Sequence, residues 1–358
     1  MGLPRNVVRA ALTIAGTVLL AVAPEPAAAA PSLRHLIGEK LVVSMDGTSP
    51  SASLLDRARR GRIGGVIIHG FNFSSAAQLR NIASKLQKAA VDGGQPKLLI
   101  AVDQEGGSVK TVSWIPPTLS PPQMGELDSA DTARRQGRRT GAALRDLGIN
   151  TDFAPVADVP ASTASFIYQQ GRTWSFSARK TTRVANAFAL GLGDGNALAT
   201  MKHFPGLGFA RRNTDDFVVY IGATGSQLLP GLKPYRRAVA DGVPLIMLSN
   251  ARYRAYDRRY AAGWSHAIGT GLLRGELGFK GVTITDSLDG AAHARGIPTD
   301  PLAIRAAKAG TDLILLTGSE ASSRSVYRSL VDAATAGRIS HARLMASYGR
   351  IAALRAGL

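Results

Sequence analysis

The sequence predicts an α/β chain folded as a single (β/α)8 TIM-type barrel, on three observations. Short apolar runs of strand length recur along the chain, and there are eight of them, the number that closes a small parallel barrel. Longer stretches of helical period lie between them, which is the pattern of a βα repeat. Charged side chains stand directly after several of the apolar runs, where such a barrel keeps its reactive groups.

The candidate strands are Lys40 to Ser44, Gly64 to His69, Lys97 to Asp103, Asn150 to Val156, Ala197 to His203, Val243 to Asn250, Gly281 to Asp286 and Thr311 to Thr317. Their nearly unbroken apolar character suits a sheet buried on both faces. Asp131 to Leu147 reads as a helix capped by Asp131, with an Ala/Leu face. Ser177 to Leu192 reads as another, carrying Val184, Ala187, Phe188 and Gly191 at helical spacing. Right-handed crossovers then leave a closed barrel or a doubly wound open sheet, and the count of eight favours the barrel.

Ahead of the barrel, residues 1–30 read as a secretion signal. Arg5 and Arg9 precede the apolar run from Ala10 to Ala23, and Ala28-Ala29-Ala30 offers small residues for cleavage. The run is short for a membrane span. The expected division is a signal over 1–30 and the barrel over 31–358, with a mature protein that is secreted or held in the cell envelope.

Of 358 residues, 45% are hydrophobic and 19% charged, as in an ordinary globular protein. The absence of cysteine excludes disulfides, thiolate metal sites and a lipidated cysteine. The net charge of +18 invites a nucleic-acid reading, but the basic residues are spread over many segments. Arg57-Ala58-Arg59-Arg60 and Arg134-Arg135-Gln136-Gly137-Arg138-Arg139 fall in helical stretches, where solvated faces account for them. No aromatic-basic module accompanies the charge, so no nucleic acid is expected. An anionic cell-wall or lipid surface fits the charge of an exported protein better, and no obligate protein partner is implied. The sequence holds no P-loop, dinucleotide fingerprint or His-Glu-x-x-His helix, so no cofactor and no metal are expected.

Asp286 is the most informative residue, because it directly follows the β-branched run Gly281-Val282-Thr283-Ile284-Thr285. Asp103, Asp152, Asp158 and the pair Lys202-His203 stand in the same relation to other runs, so these groups are expected to converge on one pocket, as in an enzyme. Glycines after Glu105 and around Pro205 permit tight turns toward a ligand. For Asp103 and Asp158 a loop-capping or ion-pairing role is the alternative. Lys202 and His203, adjacent charged residues at a buried strand end, demand a specific reason.

Four stretches resemble glycoside hydrolase family 3, in particular its single-barrel β-N-acetylhexosaminidases: Val102-Asp103-Gln104-Glu105-Gly106-Gly107, Asp152-Phe153-Ala154-Pro155-Val156-Ala157-Asp158-Val159, Lys202-His203-Phe204-Pro205-Gly206-Leu207-Gly208 and Ile284-Thr285-Asp286-Ser287-Leu288. They occur in the family's order, and the resemblance runs from about Ile37 to the C-terminal helix. It implies that Asp286 is the nucleophile, forming a glycosyl-enzyme intermediate with retention. It also implies that Asp103, Arg172, Lys202 and His203 bind the non-reducing sugar. A fixed carboxylate beneath an oxocarbenium-like transition state is physically apt, as is a set of charged donors for sugar hydroxyls. The implied activity is removal of terminal β-linked N-acetylglucosamine from peptidoglycan or chitin-type fragments, and the implied partner is an amino-sugar glycan.

One departure opposes the match. Members of this type carry an acid/base histidine, oriented by an aspartate, in the loop after the fifth strand. Here that loop reads Gly208-Phe209-Ala210-Arg211-Arg212-Asn213-Thr214-Asp215-Asp216-Phe217 and holds no histidine. Two-domain relatives take a carboxylate from a second domain, for which this chain has no length. Three readings stay open: Asp215, with Asp216 as fallback, is the acid/base; Glu105 or another carboxylate substitutes; or the protein binds glycans without hydrolysing them. Nothing legible fixes recognition of the acetamido group, so a β-glucosidase stays open too. A solvated aspartate titrates near pH ~4, too low to donate a proton at neutral pH unless burial raises it.

Overall fold

The structure, a computed structural model, describes residues 1–2 and 31–358. The secretion-signal reading over 1–30 therefore falls outside the described residues, apart from the first two. Among the described residues no helix is long and apolar enough to cross a membrane.

From Ser32 onward the chain forms a closed parallel barrel. Its strands are β1 (Leu41–Ser44), β2 (Gly65–Ile67), β3 (Leu99–Val102), β4 (Thr151–Asp152), β5 (Leu198–Phe204), β6 (Leu245–Leu248), β7 (Val282–Thr285) and β8 (Ile314–Leu316). From β1 to β7 each pairs in parallel with the next, and β8 pairs with β1. The seam between β7 and β8 is closed by a bridge between Ile284 and Leu313, where Leu313 N–H donates to Thr283 C=O at 2.8 Å. The ring excludes the doubly wound alternative.

Strand four is far shorter than the apolar run from Asn150 to Val156. Pro155 has no N–H to give the ladder, so regular pairing stops and returns only as an isolated bridge between Val156 and Lys202. The predicted helices form as Ala130–Asp146 and Ala178–Asp194. The first is capped by Ser129, which accepts from Thr132 N–H, and not by Asp131. Asp131 lies in the first turn instead, where its charge suits the helix dipole. Arg57 also departs from the solvated-face expectation, because it is buried and donates to Ser323 Oγ at 2.8 Å.

The two-residue strand period sorts the core into layers. Val42, Ile67, Leu99, Ala101, Leu245, Met247, Ile284 and Leu315 point into the barrel and pack together. Their neighbours Leu41, Val43, Val66, Ile100, Ile246 and Leu248 point outward and pack with residues of the helical shell. Each fully buried Leu or Ile contributes about 1.5–3 kcal/mol. The helix His341–Arg355 closes the N-terminal end of the barrel: Ile351 joins the inner cluster, and Arg355 donates to Lys97 C=O and Pro96 C=O. The opposite end is left open.

Candidate active site

Continuing the inward register by two residues past each apolar strand position gives the residues of the open end. Ile67 leads to His69, Ala101 to Asp103, Ile284 to Asp286 and Leu315 to Thr317, while Lys202 is the inward residue of β5 two places beyond Thr200. All five line one cavity of about 320 Å³, together with Glu105, Arg172, His203, Asp215 and Ser287. A larger cavity, of about 730 Å³, lies on the outer wall among residues of the helices Ala130–Asp146, Ala178–Asp194 and Gly225–Ala240, away from these groups. The charged strand-end residues line the smaller, more polar one.

One side of the pocket is a buried ion network. Lys202 Nζ lies 2.6 Å from Asp103 Oδ1 and 2.7 Å from Glu105 Oε1. Arg172 grips Glu105 with both arms, Nε to Oε2 at 2.8 Å and Nη2 to Oε1 at 2.7 Å. The loop bearing Arg172 is held by Trp174, whose Nε1 donates to Val156 C=O at 2.6 Å. Burial alone would raise the Glu105 carboxyl, but Lys202 and Arg172 outweigh it and hold the group down at about 2. For Lys202 the order reverses: burial lowers it, and Asp103 and Glu105 more than restore it, so it stays charged. Lys202 and Arg172 thus favour the ionised form of Glu105, and both of its oxygens are engaged by them.

His203 is fixed from behind. Asp158, fully buried, takes the ring Nδ1 at 2.8 Å, the His203 N–H at 3.3 Å and the Leu207 N–H at 2.7 Å. Asp158 does not line the pocket; it orients a residue that does. Asp152 does not converge on the pocket either. The strand period turns it outward, where Oδ1 accepts from Gln104 N–H at 2.9 Å, and burial pushes its carboxyl up to about 8.

On the other side stand two carboxylates. Asp286 follows β7, with its N–H donating to Leu248 C=O at 2.9 Å and its Oδ1 accepting from Ser287 N–H at 2.8 Å. Asp215 reaches the cavity from the loop after β5, and its Oδ1 is buried without a hydrogen-bond partner among the described residues. Asn213 Oδ1 accepts from the Asp215 N–H at 3.2 Å, while its Nδ2 donates to Asp216 Oδ2 at 2.8 Å. Asp216 stays exposed, outside the cavity lining. Burial first, and the nearby Asp286 charge second, push the Asp215 carboxyl up to about 7. A carboxyl raised above its ordinary range thus shares the pocket with Asp286.

Of the residues expected to converge, Asp286, Asp103, Arg172, Lys202, His203 and Asp215 do so. His69, Ser287 and Thr317 were not anticipated, although the two-residue register from Ile67 and Leu315 would have found His69 and Thr317. Among the described residues no cluster of metal-ligating side chains occurs.

The model of the glycosyl hydrolase family 3 N terminal domain matches residues 33–354. An uncharacterized secreted glycosyl hydrolase of Arthroderma benhamiae is 35% identical, over 90% of this chain and 92% of that protein. A beta-hexosaminidase of Alkalilimnicola ehrlichii is 29% identical, over 87% and 88%. Among solved structures, a beta-N-acetylhexosaminidase of Beutenbergia cavernae superposes with a TM-score of 0.83 at 28% identity, covering 91% of this chain and 99% of that one. A glycoside hydrolase family 3 beta-N-acetylglucosaminidase of Paenibacillus sp. gives a TM-score of 0.87 at 29% identity over 92% of this chain, which spans only 63% of that protein.

Proposed function

The chain belongs to glycosyl hydrolase family 3, and on that premise we propose that its pocket cleaves terminal β-linked N-acetylglucosamine from peptidoglycan or chitin-type fragments with retention of configuration. The observation that carries this reading is Asp215, half-buried in the same cavity as Asp286 with its Oδ1 buried and unpartnered among the described residues, so that burial and the Asp286 charge push its carboxyl up to about 7. A carboxyl kept protonated toward neutral pH beside a second carboxylate can divide the labour of acid and nucleophile with it.

In the first step an Asp286 oxygen attacks the anomeric carbon, the bond to the leaving oxygen breaks, and the Asp215 proton passes to that oxygen. In the second, water attacks the anomeric carbon, gives a proton to Asp215, and the bond to Asp286 breaks. Asp103, Arg172, Lys202 and His203 hold the sugar hydroxyls, with Glu105 fixing the two cations. The beta-hexosaminidase and beta-N-acetylglucosaminidase names of the relatives support the acetamido sugar. Turnover of an aryl N-acetylglucosaminide against an aryl glucoside tests it: faster cleavage of the glucoside makes the protein a β-glucosidase instead.

The missing histidine favours one second reading, a glycan-binding protein on the same scaffold. No turnover of an activated aryl substrate at any pH, with retained sugar binding, would replace the enzyme by it. Export rests on the signal pattern over residues 1–30 and on the secreted relative. Intact-mass analysis of secreted protein is expected to find a start near Ala30 or Pro31; a chain that keeps residues 1–23 is anchored at the membrane. The basic surface of the exported protein would then meet an anionic cell wall.

A further inference from the structure

Directly after the pocket residue His69, a short turn over Gly70–Asn72 presents Phe71 to solvent with 67% of its surface exposed. A single exposed aromatic side chain is by itself ordinary. The frame around this one is fixed at several points. Asn72 is fully buried, and its Nδ2 donates to Met45 C=O at 3.0 Å and Gly47 C=O at 2.6 Å. Its Oδ1 accepts from the His69 N–H at 2.8 Å.

His69 is held in turn by Ser44, with Nε2 and Oγ 2.9 Å apart, and its ring lines the pocket. The Phe71 ring stacks on that imidazole, with centroids 5.3 Å apart and planes 14° from parallel. One face of Phe71 is therefore backed by a pocket residue, and much of the side chain stays open to solvent. A pyranose has an apolar face of axial C–H groups that suits such a platform, and a pre-oriented aromatic gives contact at little entropic cost.

We infer that Phe71, backed by His69, forms a second subsite that takes the sugar ring adjoining the one held by Asp103 and Lys202, so that the preferred ligand is an oligosaccharide rather than a single sugar. This inference rests on the reading of the pocket as a carbohydrate site. Binding is measured by titration calorimetry on the Asp286→Asn protein, to prevent turnover, with N-acetylglucosamine, N,N′-diacetylchitobiose and cellobiose as probes.

The disaccharide of N-acetylglucosamine is expected to bind about tenfold more tightly than the monosaccharide, the size of one good aromatic contact. Phe71→Ala abolishes that advantage and leaves the monosaccharide affinity unchanged, while Phe71→Tyr restores it. Equal disaccharide affinity in the parent and in Phe71→Ala overturns the subsite. A Phe71-dependent advantage confined to cellobiose keeps the subsite and overturns the acetamido sugar. Absence of binding by all three sugars overturns both.

Discussion

The carboxyl of Asp215 rests against the backbone of Gly290: a Cβ placed on Gly290 would lie 2.5 Å from Asp215 Oδ1 and 2.6 Å from Cγ. Gly290 belongs to the helix Leu288–His293, which begins two residues after Asp286. The two carboxylates are thus brought into one cavity by a contact that only glycine allows.

Gly290→Ala is therefore expected to push the Asp215 carboxyl aside, because the end of a side chain yields more easily than a backbone. Stability should change little, since alanine in a helix gains up to about 1 kcal/mol over glycine. Cleavage of an unactivated disaccharide should fall by about 10²-fold, the usual worth of a general acid, and cleavage of a dinitrophenyl glycoside much less. Equal losses on both substrates would show that Asp215 does not serve as the acid.

The pH dependence follows from Asp215. As an acid it is active when protonated, so turnover of unactivated substrates should decline as pH rises through about 7. Asp215→Ala should remove that alkaline limb. The stability effect has the opposite use: the folded state holds the Asp215 proton up to about pH 7, the unfolded chain only to ~4. Asp215 thus lowers stability progressively across that window, and Asp215→Asn should raise the melting temperature at pH 8 but hardly at pH 4. Thermal melts at both values check it.

Asp286→Asn should retain the fold and lose turnover by about 10³-fold or more. It should also move the titration of Asp215 down, because the neighbouring negative charge is one of the two main causes that raise it. Carboxyl titration by NMR in the two proteins reads this directly. An unmoved Asp215 titration would place the two groups too far apart to act together.

Glu105→Gln leaves Lys202 and Arg172 without their shared buried anion and should cost about 3–5 kcal/mol in denaturant unfolding. A carboxyl held at about 2 contributes stability that is present above the ordinary glutamate range and lost as pH falls toward 2. The gap between parent and variant should accordingly narrow between pH ~4.5 and pH 2. A gap that does not change with pH would assign the loss to packing.

Much of this site is legible in the sequence because a strand end advertises itself: Asp103, Lys202 and Asp286 each end an apolar run, and the barrel follows from counting such runs. His69 is not legible in this way, because a lone histidine after Ile67 and Ile68 looks like any loop residue until the register is followed. Asp152 and Asp158 misled for the same reason in reverse, since one points outward and the other lies behind His203. The choice of Asp215 over Asp216 depends on Asn213, whose side chain bonds both, and no periodicity reveals a loop held by its own side chains. Strand four is shorter than its apolar run suggests, because Pro155 interrupts the ladder between Phe153 and Val156.

The alternation that turns Ile284 inward and then Asp286 inward has a genetic consequence. Exchange of one amino acid for another at such a position alters the chemistry of the mouth and leaves the ring intact, so new specificities lie a single codon away. Deletion of one residue within β7 does the opposite: it keeps nearly every side chain yet rotates Asp286 toward the helices and exchanges the strand's inward and outward faces. Missense change at the inward position of Asp286 thus spares the ring even where it abolishes activity, whereas a three-base indel in a strand disrupts the ring itself.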